Sequence, residues 1–179
     1  MIYGENIRLR AIEKEDIPNF VVWLNDPEVR RGLSIFLPLS LTAEEKWLEE
    51  LQKKSPYEQP LAIEIQPHGE EDEWVFVGNC GLFDLDWRVR QAEVGIHIGE
   101  KLYWNQGFGT KAMQLILKHG FETLNLNRLY LRVHADNPRA IRAYEKTGFV
   151  KEGVLRQAHF FEGEYVDVWL MSVLRSEWK

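Results

Sequence analysis

Residues 103–112 read YWNQGFGTKA and set two glycines, Gly107 and Gly109, between an alternating apolar stretch that ends near Ile98 and a helically patterned stretch that begins at Phe108. Few local patterns constrain a chain more. A helix that starts straight after a glycine turn has first-turn amides without partners, and these, with the positive end of the helix dipole, converge on one spot. A side chain at either glycine would hold an anion away from the backbone. Phe108, Ala112, Leu115 and Ile116 share the apolar side of a helix expected over residues 107–124. Gln106, Gly107, Phe108, Gly109 and Thr110 therefore read as a phosphate cradle, although a structural turn accounts equally well for a lone Gly-x-Gly. The dinucleotide fingerprint is incomplete, lacking its acidic ribose-binding position and full glycine spacing, and the Gly-Lys-Ser/Thr ending of a P-loop is absent.

The second informative segment is NPRAIRAYEKTGF, residues 137–149. Asn137 and Pro138 form a helix-start signal and Gly148 a stop. Ala140, Ile141 and Tyr144 fall on neighbouring parts of one helical face, so Tyr144 is either a core ring or a phenol presented to a cleft. Arg139 and Arg142 are either phosphate ligands or solvated charges.

Alternation predicts strands over residues 7–12, 61–66, 74–85, 92–98, 128–134, 150–156 and 165–174. Helical periods predict helices over 16–24, 42–54, 107–124 and 139–146, the second opened by a capping box from Thr42 to Glu45. In that helix Trp47, Leu48 and Leu51 face the core, and Glu44, Glu45, Glu49 and Glu50 form the exposed side. Residues 30–40 read as a mobile or substrate-lining loop, and residues 67–73 as a solvated acidic hairpin loop. Strands interleaved with helices imply an α/β (α+β) fold, one domain over residues 1–179 with a mixed sheet and helices on both faces. With 179 residues and 45% hydrophobic content the chain can fill one sizeable core.

The formal charge of −6 argues against direct nucleic-acid binding and suits a cationic or amine partner. No secretory signal and no membrane span are expected. Cys80, the single cysteine, reads as a buried thiol in a reducing cytoplasm. No metal site is expected, since His119 and His134 lack a ligand series.

On the glycine segment, on Asn137 to Phe149 and on the flanking stretches from Ile7 to Arg10 and Gly153 to Met171, the chain resembles the GCN5-related N-acetyltransferase (GNAT) superfamily. Within it, the likeness is to ribosomal-protein N-terminal acetyltransferases and spermidine/diamine acetyltransferases. The acetyl-CoA signature, Arg/Gln-x-x-Gly-x-Gly/Ala, matches at Gly107 and Gly109 and departs at Trp104. The resemblance implies a splayed sheet, with acetyl-CoA as co-substrate. It would be held by Ile96, His97 and Ile98 on one strand, by Trp104 and Asn105 through Thr110 in the cradle, and by Asn137 beside the pantetheine amides. It also puts Tyr144 near the cofactor sulfur as general acid.

Glu93 is the favoured base, directly or through water, because a strand position can aim it into the cleft and an ammonium must lose a proton before it attacks. The alternative for Glu93 is an ion-paired strand residue; His97 is read as packed and hydrogen-bonded rather than as base. His159 lies in the hairpin that closes the acceptor site in similar enzymes. The expected acceptor is a protein N-terminal amine, of the ribosomal-protein alanine type, with spermidine or another small polyamine as alternative. A catalytically idle acyl-CoA or peptide-binding module is the rival of another class. The resemblance leaves room for a homodimer.

Overall fold

In the computed structural model, which describes residues 1–33, 35–69 and 73–178, the chain forms one eight-stranded mixed sheet covered on both faces. The strands are β1 (Ile2–Gly4), β2 (Ile7–Ala11), β3 (Leu61–Ile65), β4 (Val75–Asp86), β5 (Gln91–Ile98), β6 (Arg128–His134), β7 (Val150–Phe161) and β8 (Glu164–Leu174). Their order is β1-β2-β3-β4-β5-β6-β8-β7. The helices are α1 (Ile17–Asn25), α2 (Pro27–Arg30), α3 (Leu41–Leu51), α4 (Phe108–Lys118) and α5 (Pro138–Lys146).

Alternation along the strands sorts residues between two cores. Ile7, Leu9, Ile63, Ile65, Val77, Leu129 and Leu131 pack with Met113, Ile116 and Leu117 of α4 on one face. Phe76 points the other way and joins Ile17, Phe20 and Trp23 of α1 and Trp47 of α3. Arg8 and Arg10 also take the second face, where both pair with Glu64 and Arg10 adds a bidentate contact to Asp16 (2.6 and 2.8 Å). β2, β3 and the entry to α1 are thereby tied together.

A bulge in β4 at Val77, where the β3 register shifts between Ile63 and Glu64, changes the phase of alternation. Val75 and Val77 before it and Cys80 and Leu82 after it consequently all reach the α4 core. The bulged Val77 carbonyl accepts from the amides of Gly99 (2.8 Å) and Glu100 (3.1 Å), which fixes the turn leaving β5. Cys80 is 1% exposed, and burial pushes its thiol up to about 12, in keeping with a core thiol.

Several boundaries differ from those expected. The short edge strand β1 has no alternation long enough to signal it. The helix expected over 107–124 is α4 followed by a π-helical turn at His119–Thr123. β7 continues five residues past 156, to Phe161, because after an irregularity between Leu155 and His159 it resumes pairing with β8 from His159 to Phe161. Residues 70–72 of the expected acidic loop, and Ser34, lie outside the described residues.

The helix expected from Thr42 starts at Leu41, and its cap is Ser40, whose hydroxyl accepts from the Ala43 amide at 3.1 Å. Ser40→Ala should cost about 1 kcal/mol of stability and Thr42→Ala only a few tenths, read from denaturant midpoints. Equal effects would return the cap to Thr42.

Candidate active site

β5 and β6 are parallel, yet their register holds for only three pairs: Gln91 with Arg128, Ala92 with Leu129 and Glu93 with Tyr130. Past Glu93, β5 keeps its partner β4 as far as Ile98, and past Tyr130, β6 keeps β8 as far as His134. The two strands therefore part company, and the β5 edge from Val94 to Ile98 faces a gap. This is the expected splay.

A cleft of about 1120 Å³ runs through the gap. Glu93, Ile96, His97, Ile98, Trp104 and Asn105 line it, as do Gly107, Phe108, Gly109, Thr110, Asn137 and Tyr144. The side chain of Gln106 does not; its amide donates to the Leu102 carbonyl (2.6 Å).

At the end of the gap Gly107 is the N-cap of α4 with φ +89°, a left-handed conformation that glycine adopts without cost. A Cβ there would meet nothing within 4 Å, so the position opens onto the cleft rather than onto packed protein. The amides of the α4 first turn thus border a space able to take an anion. Trp104, where the acetyl-CoA signature has Arg or Gln, donates its indole N–H to the Ile98 carbonyl (2.8 Å). The Arg139 guanidinium lies over its ring, 3.5 Å from the centroid. Burial lowers the Arg139 pKa from its ordinary value, and Arg139 has no ion-pair partner among the described residues. Arg142 and Lys146 follow it along α5 into the cleft. These cations suit the phosphates of CoA; the sequence left Arg139 and Arg142 open, and its spacing could not show that α5 turns them toward the glycine turn.

Asn137 caps α5, its Oδ1 accepting from the Ala140 amide (3.1 Å). Tyr144 is half-buried, its ring 5.9 Å from that of Phe149, and desolvation pushes its phenol up to about 12. The hydroxyl has no hydrogen-bond partner among the described residues, which leaves it free for a ligand in the cleft.

Glu93 projects into the cleft as expected, but both carboxylate oxygens accept from Arg132 (2.9 and 2.8 Å). The ion-paired alternative thus describes its geometry. His97 packs edge-on to Trp23, with ring centroids 6.1 Å apart, and Nδ1 lies 3.3 Å from Asn79 Oδ1. Burial pushes its pKa down to about 4. It is the packed histidine expected.

Glu44 corrects the sequence reading. Expected on the solvated side of its helix, it is 6% exposed, lines the cleft and has no hydrogen-bond or ion-pair partner among the described residues. Desolvation raises its pKa above the usual carboxylate range. A signal was available: Glu44 precedes Trp47, Leu48 and Leu51 by one and two helical turns and so shares their face. Glu28 and Asp136 also line the cleft, Glu28 paired with Lys101 and Asp136 with Arg31. Glu45 lies outside it, 3.6 Å from Lys14. Arg31, Gly32, Leu33, Ile35 and Leu39 of the segment after α2 line the cleft.

Among the described residues no group of three or more His, Cys, Asp or Glu is placed to hold a metal ion. No helix among them is long and apolar enough to cross a membrane.

Known proteins share this architecture. Residues 6–150 match the family described as "Acetyltransferase (GNAT) domain". The chain is 31% identical over 175 residues to a spermidine N(1)-acetyltransferase of Vibrio cholerae, covering 98% of this chain and 96% of that one. It is 30% identical over 177 residues to the uncharacterized N-acetyltransferase p20 of Bacillus licheniformis, covering 99% and 97%. The crystal structure of spermidine N-acetyltransferase from Vibrio cholerae in complex with CoA and spermine superposes with a TM-score of 0.82 at 26% identity, covering 96% of this chain and 97% of that one. With a splayed sheet, a glycine-capped helix at its open end and a tyrosine helix across the gap, the chain belongs to the GNAT acetyltransferase family and is an acetyl-CoA-dependent N-acetyltransferase.

Proposed function

We propose that the acceptor is a small polyamine, rather than the protein N-terminus favoured by sequence reading. Buried, unpaired Glu44 carries this reading. Glu28, Glu93 and Asp136 line the same cleft but are each paired with a cation, so Glu44 is the cleft carboxylate left to attract an ammonium. The named relatives that act on spermidine support the same class. A peptide N-terminus brings one charge, and an uncompensated buried carboxylate gains more from a substrate with several.

An ammonium nitrogen first loses a proton to the cleft, directly or through water. Glu44 suits the task because its raised pKa brings it toward working pH, whereas each Glu93 oxygen already takes an Arg132 N–H. The neutral nitrogen attacks the thioester carbon, the C–N bond forms, and the charge developing on the carbonyl oxygen is met by a backbone N–H of the unpaired β5 edge near Ile96 or His97. As the C–S bond breaks, the Tyr144 hydroxyl gives its proton to the departing sulfur, the nitrogen sheds its second proton, which returns through water to the phenolate, and the free thiol and acetylamine leave while the first proton passes to solvent.

Steady-state kinetics with spermidine and with a ribosomal-protein N-terminal peptide test the acceptor. Spermidine should show the higher kcat/KM, and Glu44→Gln should lower it about 10- to 100-fold, the worth of a hydrogen bond to a charged group. A large preference for the peptide, or a Glu44→Gln variant with unchanged spermidine kinetics, would overturn the assignment.

A further inference from the structure

The β7–β8 hairpin holds a second, smaller cavity of about 210 Å³ that the acetyl-transfer chemistry leaves unused. Its lining includes His134, His159, Phe161, Glu162 and Glu164. Arg31 and Asp136 line both this space and the main cleft, so the two adjoin at that ion pair. His134 and Arg132 share a face of β6 two residues apart, and both lie on the side of the sheet that carries Glu93.

Two observations make this a built site. The first is His159, only 7% exposed, whose Nε2 is buried without a hydrogen-bond partner. Its ring is held in place, stacked on His134 at 3.8 Å between centroids and flanked by Phe36 at 6.0 Å and Phe161 at 6.3 Å. A polar atom held there and left unsatisfied is costly unless a guest completes it. The second is charge. Asp136, Glu162 and Glu164 stand against the single guanidinium of Arg31, which is committed to Asp136 at 3.4 Å and whose carbonyl lies 3.3 Å from His134 Nδ1. Glu162 and Glu164 have no ion-pair or side-chain hydrogen-bond partner among the described residues.

A negative cavity with one unsatisfied ring nitrogen calls for a cationic N–H donor, and the ring of Phe161 supplies an apolar wall for methylenes. A metal ion fits less well, since no three potential ligands among the described residues are placed to hold one. We propose that the hairpin cavity is a second ammonium subsite, in which a distal protonated nitrogen of the acceptor is held by His159 Nε2 and the Glu162 and Glu164 carboxylates while another nitrogen of the same molecule reaches the thioester. The proposal rests on the polyamine reading and sharpens it: the enzyme selects amines that carry a second charge.

The test uses the double variant E162Q/E164Q, whose exposed hairpin-tip positions spare the core. Spermidine, with several nitrogens, and n-butylamine, with one, are compared in wild type and variant. The spermidine KM should rise about tenfold with kcat retained, while n-butylamine kinetics and acetyl-CoA affinity stay unchanged. An unchanged spermidine KM, or an equal shift for both amines, would overturn the subsite. Should wild type acetylate neither amine, the polyamine reading fails, and the cavity is judged by NMR titration of the histidine-labelled full chain with spermidine. Movement of the His159 ring signals in wild type but not in the variant supports the subsite; stationary signals at millimolar spermidine refute it.

Discussion

Tyr144→Phe is expected to lower the rate of acetyl transfer about 100-fold or more while leaving the fold and most of the acetyl-CoA affinity intact. The ring packs beside Phe149 and the α4 core, and phenylalanine keeps that packing. Only the hydroxyl is lost, and it has no partner within the described protein. Because desolvation lifts the phenol to about 12, the proton stays on oxygen throughout the neutral range, ready for a sulfur that leaves with negative charge. Single-turnover measurements at saturating spermidine, with calorimetry of acetyl-CoA binding alongside, separate the two effects. Wild-type single-turnover rates in a variant that binds acetyl-CoA normally would reduce Tyr144 to a packing residue.

Gly107→Glu should abolish measurable acetyl-CoA binding, a loss of at least 100-fold. Two causes act together. At φ +89° any side chain strains the helix cap by about 1–2 kcal/mol. A carboxylate on a Cβ that meets no protein atom within 4 Å also extends into the space bordered by the α4 amides, where it competes with and repels phosphate. Gly107→Ala separates these contributions: it should lower the melting temperature by a few degrees yet retain part of the affinity. Unchanged calorimetric affinity in a folded Gly107→Glu variant would remove the cradle from the binding site.

The features legible in sequence were those written locally. Asn137, Pro138 and Gly148 bound α5 because caps are decided within one turn of backbone, and Ile7, Leu9, Arg8 and Arg10 divide between faces because alternation is a property of the strand itself. The cap at Ser40 was displaced by two residues because Ser40 and Thr42 offer similar hydroxyls, and only the amide that reaches one of them decides. Tertiary placement was harder to see. Glu93 meets Arg132 across strands 39 residues apart, and His134 meets His159 only because β8 lies between their strands. Glu44 sits between these cases: its period placed it on the apolar face, and its charge argued for the other.

One close approach has mechanical consequences. A Cβ on Gly99, at the end of β5, would fall 2.1 Å from the indole of Trp23 on α1, and that indole also packs on Phe76 with centroids 4.9 Å apart. The ring fills the notch left by the missing side chain, like a key in a keyway. α1 therefore cannot slide or roll along the sheet without first lifting out of that notch, and the end of β5 cannot shift without carrying α1 with it. The strand end that borders the cleft and the helix beside it are thus interlocked. On the polyamine reading, room for acceptors of different length then comes from the segment after α2 and from the β7–β8 hairpin, so substrate range can drift there without unseating that interlock.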